Sequence, residues 1–356
     1  MQSMEGSFIY MVKLSLSKIC TKYQITSEMA SSLPETYSAR YAFVGVGNHA
    51  LQNLYPVLQY LGIRLKYICC KTPGKLQQVE QRFNVTATTS LDDVLNDDEV
   101  KGVFVCVSPE SHFHICKRII EAGKYLFVEK PPCQTIAELE SLIELDVKQK
   151  VVVGMQKRYS PYIQTLKEKL KSHDMISYNM VYRTGAYSEG NPYTDLFIHA
   201  VDLSVFLFGK VEIRDFQLRE RNGAATIQML LSHGNVMGFI ELSTAFSWSN
   251  PEEKLRINTT EGEYRLIGME RLCHYPHPKK CLGVPLEKIG IHTVSEQIIA
   301  ERNNFNPLLV NNQLYSQGFL SEIQAFAEFV ECSGKNYSPL SNLKETYRIM
   351  DAIQNE

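Results

Sequence analysis

Five short runs of almost wholly apolar residues, at 41–46, 65–70, 103–107, 125–128 and 151–155, alternate with segments of helical periodicity near 50–61, 74–83, 111–122 and 135–147. Strands that are apolar on both faces and separated by helices read as a parallel sheet covered on both sides. This half of the chain is therefore expected to be α/β and doubly wound. Beyond residue 161 the rhythm changes. A helix at 162–171 precedes the strand-like ISYNMVYR, a second helix runs through DLFIHAVDLSVFLFG, and ATIQMLLSHGNVMGFIELSTAFS reads as strands joined at a His233-Gly-Asn turn. Hairpin-linked strands point to an antiparallel sheet. Two helices, at 320–332 and 342–354, are expected to close the chain. Residues 1–38, mixed and rich in Ser and Thr, read as an N-terminal extension.

Composition narrows the classes. The 356 residues are 44% hydrophobic and 21% charged with a formal net charge of −2, values of an ordinary globular chain with no basic surface. Nucleic acid and anionic membrane are poor partners for such a chain. Several of the nine cysteines, Cys69, Cys70, Cys106 and Cys116 among them, stand inside apolar runs, which suggests reduced thiols. Lys13 interrupts the only short apolar run near the N-terminus, and no stretch reaches the roughly 18 apolar residues of a membrane span. A cytoplasmic location is expected.

The first strand runs into YAFVGVGNHA, which sets Gly45, Gly47 and Ala50 between strand and helix. A dinucleotide fingerprint needs one glycine for the tight turn, a second for backbone approach to the pyrophosphate, and a small third residue for helix packing. The helix start, with Asn48 and His49, then presents N–H donors to phosphate. An NAD site usually adds an acid about 20 residues further on. None occurs between Asn48 and Val79; Cys70 stands near that position, with Lys71 and Thr72 beside it. A cation and a hydroxyl there suit a 2′-phosphate, so NADP is slightly favoured over NAD.

In an open parallel sheet ligands bind beyond the carboxyl ends of the strands. VFVCVSPESH and KYLFVEKPP both deliver polar residues at such ends. With the glycine turn they resemble the Gfo/Idh/MocA oxidoreductases, named for glucose–fructose oxidoreductase and inositol dehydrogenase. The landmarks come in that family's order: Gly45-x-Gly47, Ser108-Pro109 with His112, Glu129-Lys130-Pro131, VGMQKRYSP with Arg158, and Asp195-x-x-x-His199-x-x-Asp202. The resemblance implies an N-terminal Rossmann domain at 39–155, and at 156–356 an α/β substrate and oligomerisation domain with an open, mainly antiparallel sheet and helices 320–354. It implies that Lys130, His199 and Asp195 are catalytic, that Arg158 joins them on the substrate side, and that Ser108, Pro109, His112 and Glu129 lie on the cofactor side.

The residues support that assignment. Positions i and i+4 share a helix face, so Asp195 and His199 are expected to project together, with Asp202 near the same stripe. Taking hydride from a secondary alcohol requires a base for the hydroxyl proton and positive charge beside the forming carbonyl. His199 suits the first task and Lys130 the second. The expected activity is an NAD(P)-dependent dehydrogenase or reductase of CH–OH groups in a sugar, cyclitol or nucleotide sugar, in a homo-oligomer. The alternatives are a non-catalytic, cofactor-bound sensor and a reductase of a non-sugar substrate. NPYTDLFIH places Phe197 inside the motif where the family often has glycine, implying a differently shaped pocket. Cys273, His274, His277 and Cys281 crowd into one proline-shaped loop without common zinc spacing, so no metal site is expected.

Overall fold

The structure is a computed structural model that describes residues 37–292, 295–331 and 334–354. Nearly all of the N-terminal extension lies outside the described residues. The first sheet holds six parallel strands: β1 (Arg40–Val44), β2 (Arg64–Cys69), β3 (Thr86–Thr88), β4 (Val100–Val105), β5 (Tyr125–Glu129) and β6 (Val151–Gly154). Their order is β3-β2-β1-β4-β5-β6, the dinucleotide-binding order with its switch point between β1 and β4. Apolar side chains on both faces of β1, β4 and β5 are buried. Periodicity missed β3, whose Thr-Ala-Thr carries almost no apolar signal, and the short helix Leu91–Leu95 after it.

The second sheet has eight strands. These are β7 (Met175–Arg183), β8 (Glu212–Arg221), β9 (Ala224–His233), β10 (Val236–Ser243), β11 (Glu252–Thr259), β12 (Gly262–Ile267), β13 (Arg271–Pro276) and an edge strand Gln297–Glu301. Only β7 and β10 pair in parallel; every other neighbour is antiparallel. Along β9 the residues Ala225, Ile227, Met229 and Leu231 are buried, whereas Gln228 and Leu230 are exposed. Such alternation marks a sheet packed on one face. Helix Ile198–Phe208 is apolar nearly all round and belongs to the same core as that covered face. The opposite face carries exposed Leu230 and Met237.

The chain then returns to the first sheet. Helix Phe319–Val330, reckoned with the second domain from its place in the sequence, packs on the Rossmann strands: Phe326 lies 4.9 Å from Phe104 and 5.8 Å from Phe127, ring centre to ring centre. Just past its end the Glu331 carboxylate accepts the backbone N–H groups of Ser38 and Ala39. Contacts across nearly 300 residues leave no trace in local periodicity.

Arg158 also departs from expectation. It follows β6 in the turn Gln156–Tyr159 and is only 1% exposed. Its Nε donates to Asp202 Oδ2 at 2.8 Å, its Nη2 to Oδ1 at 2.5 Å, and its Nη1 to the Tyr337 carbonyl at 3.2 Å. The Thr346 hydroxyl completes the set on Asp202. With its fork spent on a buried partner, Arg158 belongs to the scaffold between turn, helix and C-terminal segment, not to the substrate pocket. Arg158→Ala would strand the Asp202 charge and is expected to cost about 3–5 kcal/mol in denaturant unfolding, most of it recovered in Arg158→Met/Asp202→Leu.

Candidate active site

The site begins at the tip of β1. Gly45 has φ +114°, and a Cβ there would stand 2.0 Å from the Cys106 carbonyl oxygen, so only glycine lets this tip close on the tip of β4. Its N–H donates to the Cys69 carbonyl, and its own carbonyl accepts the Tyr55 hydroxyl. Gly47, in contrast, has open space around it, and Gly47, Asn48 and His49 are exposed. A fixed turn followed by open backbone at the start of a helix fits a pyrophosphate. Ala50 is buried against the sheet as the third small residue. At the tip of β2, Cys70 is buried with its N–H on the Thr88 carbonyl, so it packs, while Lys71 and Thr72 are exposed beyond it.

At the tip of β4, Ser108 is the extended residue before helix Pro109–Glu121, and His112 in its first turns is buried. His112 Nδ1 donates to the Pro131 carbonyl at 2.7 Å, and Nε2 accepts the Val107 N–H at 3.4 Å. Both ring nitrogens are therefore committed, and burial lowers the imidazole pKa. This makes His112 a brace between the tips of β4 and β5, holding the bend that contains the cis Lys130–Pro131 bond.

β5 carries Glu129 and Lys130 to the crevice. The Glu129 carboxylate accepts the Lys130 N–H at 3.3 Å and lies 3.5 Å from His49 Nε2. Lys130 Nζ donates to the backbone carbonyl of Asp195 at 2.5 Å. Burial lowers its pKa, with Glu129 and Asp195 opposing that shift. His199 is buried, and its Nδ1 has no hydrogen-bond partner. Burial first, then the nearby Lys130, Lys157 and His49, hold its pKa well below the usual histidine value. The ring is thus neutral at pH 7, with an idle nitrogen beside cations.

Asp195 points elsewhere than its spacing suggests. It lies in a π-helical turn, Tyr193–Phe197, whose extra residue breaks the i, i+4 register with His199. Its carboxylate accepts the Tyr187 hydroxyl (3.2 Å) and the Asn191 N–H (3.1 Å), while its carbonyl serves Lys130. It thus ties the lysine to the neighbouring loop. Asp202 faces Arg158.

Two groups escaped the sequence reading. Lys157, adjacent to Arg158, is buried in an ion pair with Glu253, its Nζ 5.0 Å from the centre of the Tyr182 ring. The segment shows two neighbouring cations, and nothing in it says which faces the site. Glu322, in helix Phe319–Val330, is 0% exposed, and neither carboxyl oxygen has a hydrogen-bond partner. Burial and then the nearby Glu129 raise its pKa well above the usual range, while Arg158 pulls the other way. Its position, three residues after Phe319 and four before Phe326, places a carboxyl on the helix's apolar stripe, and that was the available signal.

The Cys273–Cys281 segment is dispersed: Cys273 is buried, His274 stacks on Tyr264 at 4.4 Å, and Cys281 is exposed. No group of three or more His, Cys, Asp or Glu that could hold a metal occurs among the described residues. No helix among them is long and apolar enough to cross a membrane.

Strand order, glycine turn and crevice define a protein of the dinucleotide-binding α/β class. Residues 39–157 match the model of the Gfo/Idh/MocA family, described as an oxidoreductase family with an NAD-binding Rossmann fold. That match covers the part of the chain that builds the first sheet. It is 28% identical over 201 residues to the uncharacterized oxidoreductase YhhX of Escherichia coli, 52% of this chain and 58% of that one. It is 25% identical over 189 residues to an inositol 2-dehydrogenase/D-chiro-inositol 3-dehydrogenase of Lactiplantibacillus plantarum, 49% of this chain and 54% of that one. The chain thus spans little more than half the length of these relatives. A dehydrogenase from Chromobacterium violaceum superposes with a TM-score of 0.76 at 18% identity, over 90% of this chain and 95% of that one, a likeness of fold.

The raised pKa of Glu322 has a sign that can be measured. The folded protein keeps a proton that the unfolded chain releases above about pH 4.5, so this group's contribution to stability falls as pH rises toward the folded value. Glu322→Gln should therefore gain stability relative to the parent between pH 5 and 8, at up to about 1.4 kcal/mol per pH unit. A constant difference across that range in chemical denaturation would contradict a protonated Glu322.

Proposed function

We propose that this chain is an NAD(P)-dependent oxidoreductase that moves hydride between nicotinamide and the CH–OH or carbonyl carbon of a sugar, cyclitol or nucleotide sugar. The observation that carries this reading is His199, neutral and buried with an unpartnered Nδ1, beside Lys130 at the strand tips of a dinucleotide fold. The cofactor, when bound, supplies the hydride acceptor or donor. The chain's own residues handle the proton and the charge. His199 Nδ1 takes the hydroxyl proton in the oxidative direction and returns it in the reductive one. Lys130, with one N–H held by the Asp195 carbonyl, has donors left for the reacting oxygen and stabilises its negative charge in a water-poor crevice. Gly45, Gly47 and the helix start after Asn48 hold the pyrophosphate. Ser108 and Pro109 border the nicotinamide side, where His112 keeps the β4 and β5 tips in register.

NADP is the slightly favoured cofactor, supported by exposed Lys71 and Thr72 and by the lack of any acid from residue 48 to 79. The exposed face of the second sheet, with Leu230 and Met237, is proposed as the homo-oligomer contact, and the cytoplasm as the location.

Lys130→Ala and His199→Ala should each lower kcat by about a hundredfold or more while leaving the cofactor Kd within a few-fold, read by turnover and by fluorescence of the reduced cofactor. Unchanged turnover in both would refute the roles. Because the His199 pKa is lowered, the acid limb of kcat/KM for oxidation should lie below pH 6.5. Lys71→Glu should raise KM for NADP at least tenfold and leave that for NAD nearly unchanged; equal effects on both would remove the 2′-phosphate assignment.

A further inference from the structure

His49 is one of the exposed residues 47–49 that follow the glycine turn, on which the cofactor reading seats the pyrophosphate. Its ring is nevertheless engaged on both nitrogens. Nδ1 is 3.0 Å from the side-chain amide nitrogen of Asn53, one helical turn further on, and Nε2 stands 3.5 Å from Glu129 Oε1 at the end of β5. Glu129 is only 4% exposed; its Oε1 has no hydrogen-bond partner, and its Oε2 accepts the Lys130 N–H. The Phe319 ring lies 5.8 Å from the imidazole, centre to centre. In the sheet β4 lies between β1 and β5, so the imidazole reaches across the β4 position. It thereby joins the phosphate turn to the strand that carries Lys130.

Charge decides when such an imidazole holds a second proton. The titratable groups around this corner are Glu129 and Lys130 at the end of β5, Cys106 at the β4 tip, Glu322 on helix Phe319–Val330, and Lys157 and His199 across the crevice. Burial keeps the Cys106 thiol and the Glu322 carboxyl protonated and the His199 ring neutral. What remains is the Glu129 carboxylate against Lys130 and Lys157, and Lys157 is already paired with Glu253. Without cofactor the corner is thus close to charge balance. A dinucleotide adds the negative charge of both its phosphates beside residues 47–49. An imidazole between two anions is stabilised as imidazolium. With Nδ1 accepting from the Asn53 amide, Nε2 carries the ring proton toward Glu129, so the second proton goes to Nδ1. Asn53 can follow by turning its amide, so that its oxygen accepts the new N–H.

We propose that His49 takes up a proton as the dinucleotide binds, and that the imidazolium then joins the pyrophosphate to Glu129 beside Lys130. This inference rests on the cofactor reading and goes beyond it, since phosphate contacts from backbone N–H groups require no proton. One proton leaves the buffer and goes to Nδ1; no covalent bond of the cofactor changes. The test is calorimetry of NADH and NADPH binding to the full chain at pH 7.5, in HEPES and in Tris, whose heats of ionisation differ. That pH lies well above the value of about 6 at which a phosphate monoester itself titrates. The parent should take up about 0.3–1 proton per cofactor bound. By linkage its cofactor Kd should rise at least about threefold from pH 7 to pH 9.

His49→Gln should bind the cofactor without that uptake, with a Kd constant within about twofold over the same range. Where His49→Gln binds too weakly to measure, His49→Lys decides: its charge is fixed, so it should bind with no proton exchange. Glu129→Gln removes one of the two anions and should lower the uptake by about half or more. Cofactor binding by the parent without proton uptake overturns the proposal, as does uptake that persists in His49→Gln or His49→Lys, or is unchanged in Glu129→Gln. Loss of binding in both His49 variants overturns it as well, because a fixed cation should serve. Failure of the underlying reading looks different: neither NADH nor NADPH binds the parent at all.

Discussion

The site depends on one requirement, that an ammonium group carried out of water must find acceptors. β5 is a wholly apolar shaft that ends in Glu129, and Lys130 follows directly into the crevice between the two sheets. Of the acceptors available there, the Asp195 carbonyl takes one N–H of Lys130. That carbonyl lies in a π-helical turn at the head of helix Ile198–Phe208, so the contact couples a strand tip of the first sheet to the helix that carries His199. A regular α-helical start would present a different carbonyl. The π turn is therefore part of the geometry of this contact, and such turns are frequent at functional sites.

Several apparently separate features serve this contact. His112 spends both ring nitrogens bracing Pro131, which fixes the chain immediately after Lys130. The Asp195 carboxylate gathers Tyr187 and Asn191, so the loop before it is tied to the residue whose carbonyl holds the lysine. Arg158 and Asp202 lock the base of the same helix to the turn after β6, which places Lys157 beside His199. The result is an imidazole kept neutral first by its burial and then by the cations near it. Neutrality is what a proton acceptor requires, and nearby positive charge is what a developing alkoxide requires.

The alternation of apolar runs and helices made the first sheet legible, and the glycine turn marked its switch point, because both signals are local. β3 was invisible because three residues with two threonines carry no hydrophobic period. Helix Phe319–Val330 was legible as a helix but not as a lid on β1, β4 and β5, since its aromatic partners lie about 200 residues or more away. Lys130 could be placed at a strand tip and His199 on a helix from the sequence because an apolar run and a helical segment are local signals. Arg158 was expected on the substrate side, and its pairing with Asp202 was not legible because the two lie 44 residues apart. Asp195 was placed with His199 by a helical spacing that the π turn does not obey.

Glu322 is a buried acid with no hydrogen-bond partner, close enough to Glu129 for the two carboxyls to interact. The crevice concentrates Lys130, Lys157 and the partial positive charge of the helix start after Gly47, and Glu129 alone faces His49 and the lysine tip. A second ionised carboxyl behind Glu129 would repel it and pull the lysines away from the reacting oxygen. A protonated Glu322 avoids both: it fills the space beneath Glu129 without charge, at the cost of an unsatisfied polar group in the core. The carboxyl that escaped the sequence reading is thus tied to the pair at the end of β5. The helix that brings Glu322 there returns to the first sheet from the second half of the chain, so a segment far downstream sets the environment of the strand tip.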